Sequence, residues 1–416
     1  MLRACARACL LSSRTYSSIN FPTPPSLNLQ TNNLLSQVRA LATRGQLNQA
    51  LLLFYTLQPP THCNQTYATL FHACARHHCL QQGLSLHHYM VAHNHITPPD
   101  LFVSNHLINM YAKFGYLHHA RQLFDEMPRR NLVTWTALIS GYAQWGQAVN
   151  CFRLFAGLLV HYRPNEFAFA SVLTSCGDSY DDGYGRQVHA LALKMSLDAC
   201  VYVANALITM YSKICDHRAV YDVSKDEAWK VFRSTESRNL ITWNSMIAGF
   251  HCRRLGAQAI DLFIQMHLHG LGFDRATLLS VFSSLNGSNG LDDIVVAKFC
   301  YQLHCLAIKT GFILKIEVVT ALVKAYSDLG GNIADCYMLF SETSCHRDIV
   351  AWTGIMTTFS ECDPEESLSL FRQLRRENLA PDRYTFSIVL KAYASLATEH
   401  HASAVHSQVI KAGFGG

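Results

Sequence analysis

The phrase "SNHLINMYAKFG" at residues 104–115 returns as "ANALITMYSK" at 204–213 and as "TALVKAYSD" at 320–328. A repeated phrase constrains a chain more than its composition does, because each copy must fold into the same local unit. In the first copy Ser104, Leu107, Ile108 and Tyr111 stand at i, i+3, i+4 and i+7, one face of a helix. Gly115 interrupts that helix, and Leu117, Ala120, Leu123, Phe124 and Met127 give a second apolar stripe that Pro128 ends. The unit is a helical hairpin of about thirty residues. It cannot bury both stripes alone, so it requires neighbours of its own kind.

The neighbours are written in the same chain. A second type of hairpin opens "LVTWTALISGYAQ" at 132, "LITWNSMIAGF" at 240 and "IVAWTGIMTTF" at 349. A third opens "NQTYATLFHACA" at 64, "EFAFASVLTSCG" at 166, "RATLLSVFSSLN" at 275 and "RYTFSIVLKAYA" at 383. Its second helix carries a histidine after an aliphatic residue: His87, His189, His304 and His406. These histidines are 102, 115 and 102 residues apart, and Trp135, Trp243 and Trp352 are 108 and 109 apart. A three-hairpin cycle of 102 residues fits every interval, given short insertions near 217–226 and 287–296.

The first thirty residues differ. They hold Arg3, Arg7, Arg14 and five serines, and no acid occurs before Asp100. Arginine and serine without acid is the composition of an organelle-targeting leader, and "RTYSS" resembles a mitochondrial cleavage site after Tyr16. Mitochondrion is the expected location, with plastid second. The three arginines account for three of the formal net charge of +5, so the remaining charge is a weak electrostatic footprint for non-specific nucleic-acid binding. The apolar runs are too short to span a bilayer. The 15 cysteines form no CxxC and read as small buried residues. The histidine-rich stretches 72–79 and 399–406 lie on repeat helices, so no metal or other cofactor is expected.

The motifs "NALITMYSK", "WTALISGYAQ" and "VHALALK" closely resemble the short, standard and long repeats of plant pentatricopeptide repeat proteins of the PLS type. The resemblance covers about nine-tenths of the chain. It implies an all-α, right-handed superhelical solenoid of about eleven helix-turn-helix repeats, preceded by a transit peptide and linker over 1–30. The repeats are placed at 31–63, 64–100, 101–131, 132–165, 166–200, 201–239, 240–274, 275–315, 316–348, 349–382 and 383–416.

Two polar positions recur in the short and standard repeats. The residue following the first-helix seam is Asn105, Thr136, Asn205, Asn244, Thr320 or Thr353; the last residue of the repeat is Asn131, Asn165, Asn239, Asp274, Asp348 or Asp382. Amides, hydroxyls and carboxylates suit the edge of an unstacked base. The same groups also suit helix capping and bridges between hairpins. In the resembled family the two positions together select one RNA base. This implies A for Thr with Asn, G for Thr with Asp, U for Asn with Asp, and a pyrimidine for Asn with Asn. The apolar residue three before the first slot (Phe102, Val133, Tyr202, Ile241, Val350) is then a stacking wedge, and Glu317 departs from that pattern. Lys113 and Lys213 are candidates for phosphate contact. The long repeats hold Ala68, Ala170, Leu279 and Ser387 in the first slot and promise little readout.

No nucleotide-binding, metalloprotease or hydrolase motif occurs, and neither H-x-E nor P-C-x-x-C of the zinc deaminases is present. The expectation is a non-catalytic, monomeric reader of single-stranded organellar RNA with no membrane contact. It is expected to lack the family's C-terminal extension and deaminase domains and to act in C-to-U editing with a deaminase-bearing or other editing-complex protein in trans. A helical scaffold for protein partners, or an RNA factor for splicing or transcript stabilisation, are the alternatives.

Overall fold

The computed structural model of the protein describes residues 25–57, 63–93, 100–179, 182–214, 226–285, 292–329, 340 and 349–396. All regular structure among them is helical. The chain divides after Trp145 into two compact units. The first holds α1 (Pro25–Thr43), α2 (Leu47–Thr56), α3 (Asn64–Arg76), α4 (Leu80–Ala92), α5 (Leu101–Lys113), α6 (Leu117–Glu126) and α7 (Leu132–Gln144). The second begins with α8 (Ala148–His161), α9 (Glu166–Ser179), α10 (Asp182–Lys194), α11 (Val201–Ile214), α12 (Glu227–Ser234), α13 (Leu240–Cys252) and α14 (Gly256–Leu268). It continues with α15 (Arg275–Ser284), α16 (Asp293–Lys309), a 3-10 turn (Phe312–Leu314), α17 (Ile316–Asp328), α18 (Ile349–Cys362), α19 (Pro364–Arg376) and α20 (Arg383–Ser395).

Within each unit the first helices of successive hairpins lie side by side: α1, α3, α5 and α7, and then α9, α11, α13, α15, α17, α18 and α20. The sequence stripe explains this layer. Ser104, Leu107, Ile108 and Tyr111 are all buried, as are Leu117, Ala120 and Phe124 of the partner helix and Met127 just after it. Cys63, Cys74, Cys151, Cys176 and Cys300 fill small core positions. α1 begins at Pro25, inside the stretch expected to be linker. Proline is a good first helical residue because its missing N–H would have no intrahelical partner there. Residues 1–24, most of the proposed insertion 217–226 (217–225), the first half of the proposed insertion 287–296 (287–291), His406 and the second half of the last repeat lie outside the described residues.

The hairpin turns after the first helices of five repeats have a left-handed backbone, supplied by Gly45, Gly115 and Gly146 at φ +85°, +78° and +65° and by His78 and Arg254 at φ 56° and 60°.

The recurring "MY" of the short repeats is explained by packing. The ring nitrogens Nδ1 of His87 and His189 lie 2.7 and 2.8 Å from the hydroxyls of Tyr111 and Tyr211. One turn earlier on the histidine's helix, Gly83 and Gly185 face the sulfurs of Met110 and Met210 so closely that a Cβ would collide. In the third copy His304 lies 3.0 Å from the Tyr326 hydroxyl. There the glycine has become Cys300 and the methionine Ala325, so the larger residue of the pair has moved to the histidine's helix.

Candidate nucleic-acid interface

The second polar position is set by the start of the next helix. Asn131, Asn239 and Asp274 have extended backbones, and each Oδ1 accepts a 2.9 Å hydrogen bond from the N–H of Thr134, Thr242 or Thr277. The same threonine hydroxyl accepts from the cap residue's own N–H, completing a capping box. Asn165 caps α9 through the Ala168 N–H at 3.0 Å, and Asp382 caps α20 through the Thr385 N–H at 2.8 Å. Upstream, an arginine fixes the approach in two short repeats. Arg130 donates to the carbonyls of Phe124 and Asp125 at 2.7 and 2.8 Å, and Arg238 to those of Phe232 and Arg233 at 2.8 and 2.9 Å. Each guanidinium also sits 4.8 Å from the ring centroid of its phenylalanine. Capping engages Oδ1, so the amide Nδ2 or the carboxylate Oδ2 is the atom that distinguishes Asn from Asp.

The structure joins the two slots in two repeats. Asn105 Nδ2 donates to Asn131 Oδ1 at 3.4 Å while the Thr134 hydroxyl lies 2.7 Å from Asn105 Oδ1. Asn244 Nδ2 donates to Asp274 Oδ1 at 3.1 Å while the Thr277 hydroxyl lies 2.7 Å from Asn244 Oδ1. Burial alone would raise the Asp274 pKa, but the hydrogen bonds from Thr277, Asn244 and Ala276 outweigh it and hold the carboxyl below its ordinary value. Asn105 is only 9 % exposed, and both polar atoms of its amide are engaged in this bridge. Asn205 differs: its Oδ1 is buried without a hydrogen-bond partner, and the Thr242 hydroxyl turns to Asn239 Oδ1 instead. Thr136 and Thr320 bond carbonyls of their own helices, Leu132 at 2.8 Å and Ile316 at 2.9 Å. Thr353 is half-buried and Asp348 lies outside the described residues.

Beside the polar positions runs an apolar ladder. Phe102 and Val133 in the first unit, and Tyr202 and Ile241 in the second, are 50 to 58 % exposed on otherwise well-packed helices. The side chain of Val350 lies outside the described residues. Two members were missed in the sequence because the long repeats carrying them hold Ala170 and Ser387 in the first slot. These are Phe167 and Tyr384, each two residues after its cap and 48 and 62 % exposed. The Phe167 and Tyr202 rings lie 5.4 Å apart between neighbouring repeats of the second unit. Glu317 takes the ladder position in α17, and its carboxylate lies 2.5 Å from Arg275 of the preceding repeat. Lys113 and Lys213 are exposed in the last turns of α5 and α11. Chemically, each such hairpin offers a flat or branched apolar surface next to an amide, hydroxyl or carboxylate.

The pentatricopeptide repeat family matches residues 102–132, 133–159 and 241–271, which are three of the hairpins just described. The chain carries pentatricopeptide repeats. It is 50 % identical over 377 residues to the pentatricopeptide repeat-containing protein At1g71420 of Arabidopsis thaliana, covering 91 % of this chain and 49 % of that one. It is 30 % identical over 383 residues to a putative mitochondrial pentatricopeptide repeat-containing protein, At3g13770 of Arabidopsis thaliana, covering 91 % and 57 %. The chain thus spans about half the length of these relatives. Among solved structures it resembles the pentatricopeptide repeat protein PPR10 in complex with an 18-nt psaJ RNA element. The TM-score is 0.58 at 14 % identity, over 93 % of this chain and 61 % of that one. The likeness establishes the helical-repeat fold.

Proposed function

We propose that this chain is a sequence-specific single-stranded RNA-binding protein of plant organelles, a pentatricopeptide repeat protein of the PLS type acting in mitochondrial transcript processing. C-to-U editing is the process we assign. The observation that carries the reading is the pairing, in successive hairpins, of a half-exposed apolar side chain with a helix-capping Asn or Asp. Apolar surface offered to bases as a stacking platform gives affinity, and the adjoining polar atoms give choice. The similarity to PPR10, whose structure contains RNA, and to a relative described as mitochondrial supports the same reading.

A second reading has one observation in its favour. Asn105 and Asn244 use both amide groups to tie one hairpin to the next, which is how a purely structural residue of a protein-binding scaffold behaves. Selection from a random RNA pool at fixed salt separates the two. With N-terminal repeats meeting the 5′ side, the RNA reading expects enrichment of 5′-Y-A-n-Y-U-n-G-G-3′, the long repeats giving "n". A pool that stays unenriched while the folded protein is present favours the scaffold.

A further inference from the structure

The ladder is interrupted over one stretch of the second unit. Its position is occupied by Ala276 in α15 and by Glu317 in α17, and Glu317 is paired with Arg275. A methyl group and an ion-paired carboxylate offer a base little to stack on. At the other ends of the same helices lies a cavity of 460 Å³, lined by His251 in the last turn of α13 and Arg254 just after it, by Phe282 and Ser283 of α15, and by Lys324 and Asp328 of α17.

The lining carries more basic than acidic side chains. Three of its titratable groups are basic and one, Asp328, is acidic. His251 is held below the ordinary imidazole range by burial and then by the Lys324 charge, which a hydrogen bond with the Ser283 backbone only partly offsets.

Arg254 adds an independent sign. It occupies the left-handed hairpin-turn position at φ 60°, where Gly45, Gly115 and Gly146 stand in three other repeats and His78 in a fourth. A residue with a Cβ is strained there, and strain kept at a cavity lined by charged groups points to a use for the side chain.

We propose that this basic cavity is a phosphodiester-binding site. It holds the RNA backbone by charge across the repeats where side chains for stacking are missing. This inference rests on the RNA-binding reading. The occupant is an internal phosphate of a single strand, gripped by the Arg254 guanidinium and Lys324 ammonium, with His251 as a further donor when protonated.

The test uses the 416-residue chain and its selected RNA, with affinity measured from low to physiological salt. Arg254→Gly is the main variant, because it removes the cation and relieves the strained turn, so its thermal midpoint should equal or exceed that of the parent. Lys324→Ala is the second. Each should reduce the slope of log affinity against log salt by about 0.7, the single-strand value for one phosphate, and should weaken preferred and substituted sequences equally. RNA binding with an unchanged slope in both variants overturns the cavity assignment and leaves the RNA reading standing. Failure of the unmodified chain to bind RNA overturns both. A loss confined to one base position also contradicts the assignment, since a phosphate contact carries no sequence information.

Discussion

Thr277 is the residue on which the bridge between two hairpins of the second unit depends, and Thr277→Val isolates that dependence. The two side chains are nearly isosteric, and Thr277 is fully buried, so the change opens no cavity. It removes one hydroxyl. That hydroxyl accepts from the Asp274 N–H at 3.1 Å and has two acceptors within reach of its single proton, Asn244 Oδ1 at 2.7 Å and Asp274 Oδ1 at 2.9 Å. The cap bond from the Thr277 backbone N–H to Asp274 remains. Valine therefore leaves one N–H and one amide oxygen without their partner in a region of limited water access. At about 1 kcal/mol per unmet group, and somewhat more where a carboxylate is involved, the expected loss is about 2 kcal/mol. Thr209→Val in α11 is the control. Its hydroxyl only touches the Asn205 carbonyl of its own helix, a bond that competes with the helix ladder, and its loss should be below about 0.5 kcal/mol. Repeat arrays open locally, so hydrogen exchange of the α13 and α15 amides is the appropriate readout. A double-mutant cycle of Thr277→Val with Asn244→Ala should show a coupling of about 1 kcal/mol. Equal losses for Thr277→Val and Thr209→Val, or zero coupling, would show that the threonine does not hold the bridge.

Burial, and then the charges of His119 and His88, push His87 down to about 4. The unfolded chain takes up its proton first as pH falls below about 6.5, so the stability tied to neutral His87 is complete above that pH and is lost as pH falls toward 4. The loss is on the order of 3 kcal/mol at most, and His87→Gln should flatten this part of an acid-unfolding curve; an unchanged curve refutes the assignment. Gly141→Ala in α7 should destabilise the first unit by about 1–3 kcal/mol despite alanine's better helix propensity, because the new Cβ stands 2.5 Å from that of Ala112 in α5. A variant at least as stable as the parent in urea would contradict such close packing. A fluorescent fusion to residues 1–30 should enter mitochondria, with Arg14→Ala slowing cleavage more than import, whereas cytosolic fluorescence counts against the targeting reading.

Periodicity carried the architecture because burial leaves its mark locally. Ser104, Leu107, Ile108 and Tyr111 sit on one helix face in any structure that buries them, so the hairpin was legible from four letters and a glycine. The histidine of the long repeats was legible as a recurring pair but not as a bond, since its tyrosine partner lies 22 to 24 residues further on in the next hairpin. The site was half legible. Positions 105, 131, 244 and 274 were identifiable by residue type. The threonine that ties them together, Thr134 or Thr277, was not, because it stands among apolar letters and reads as part of the seam. The capping box follows from spacing alone, with Asn or Asp three residues before Thr. Phe167 and Tyr384 were hidden for a different reason: the small residue in the neighbouring slot drew attention away from an exposed ring that does not depend on it.

The central claim is that two side chains per repeat choose the base, and Thr353→Asn with Asp382 unchanged tests it most directly. Asp382 is already fixed as the cap of α20 by Thr385, with bonds of 2.8 and 2.7 Å, so the substitution alters one slot and leaves the other in place. It replaces a hydroxyl by an amide beside a carboxylate, the combination found at Asn244 and Asp274. Competition binding at one fixed salt concentration, with probes differing only at the last G of the selected site, should show the preference at that position moving from G to U. Each good edge contact with its stacking is worth about 1–3 kcal/mol by analogy with groove readout and single-strand stacking, so the ranking should invert by tenfold or so. Identical ranking of the G and U probes by parent and variant would contradict the account and leave the recurring Asn, Asp and Thr residues as caps and bridges alone.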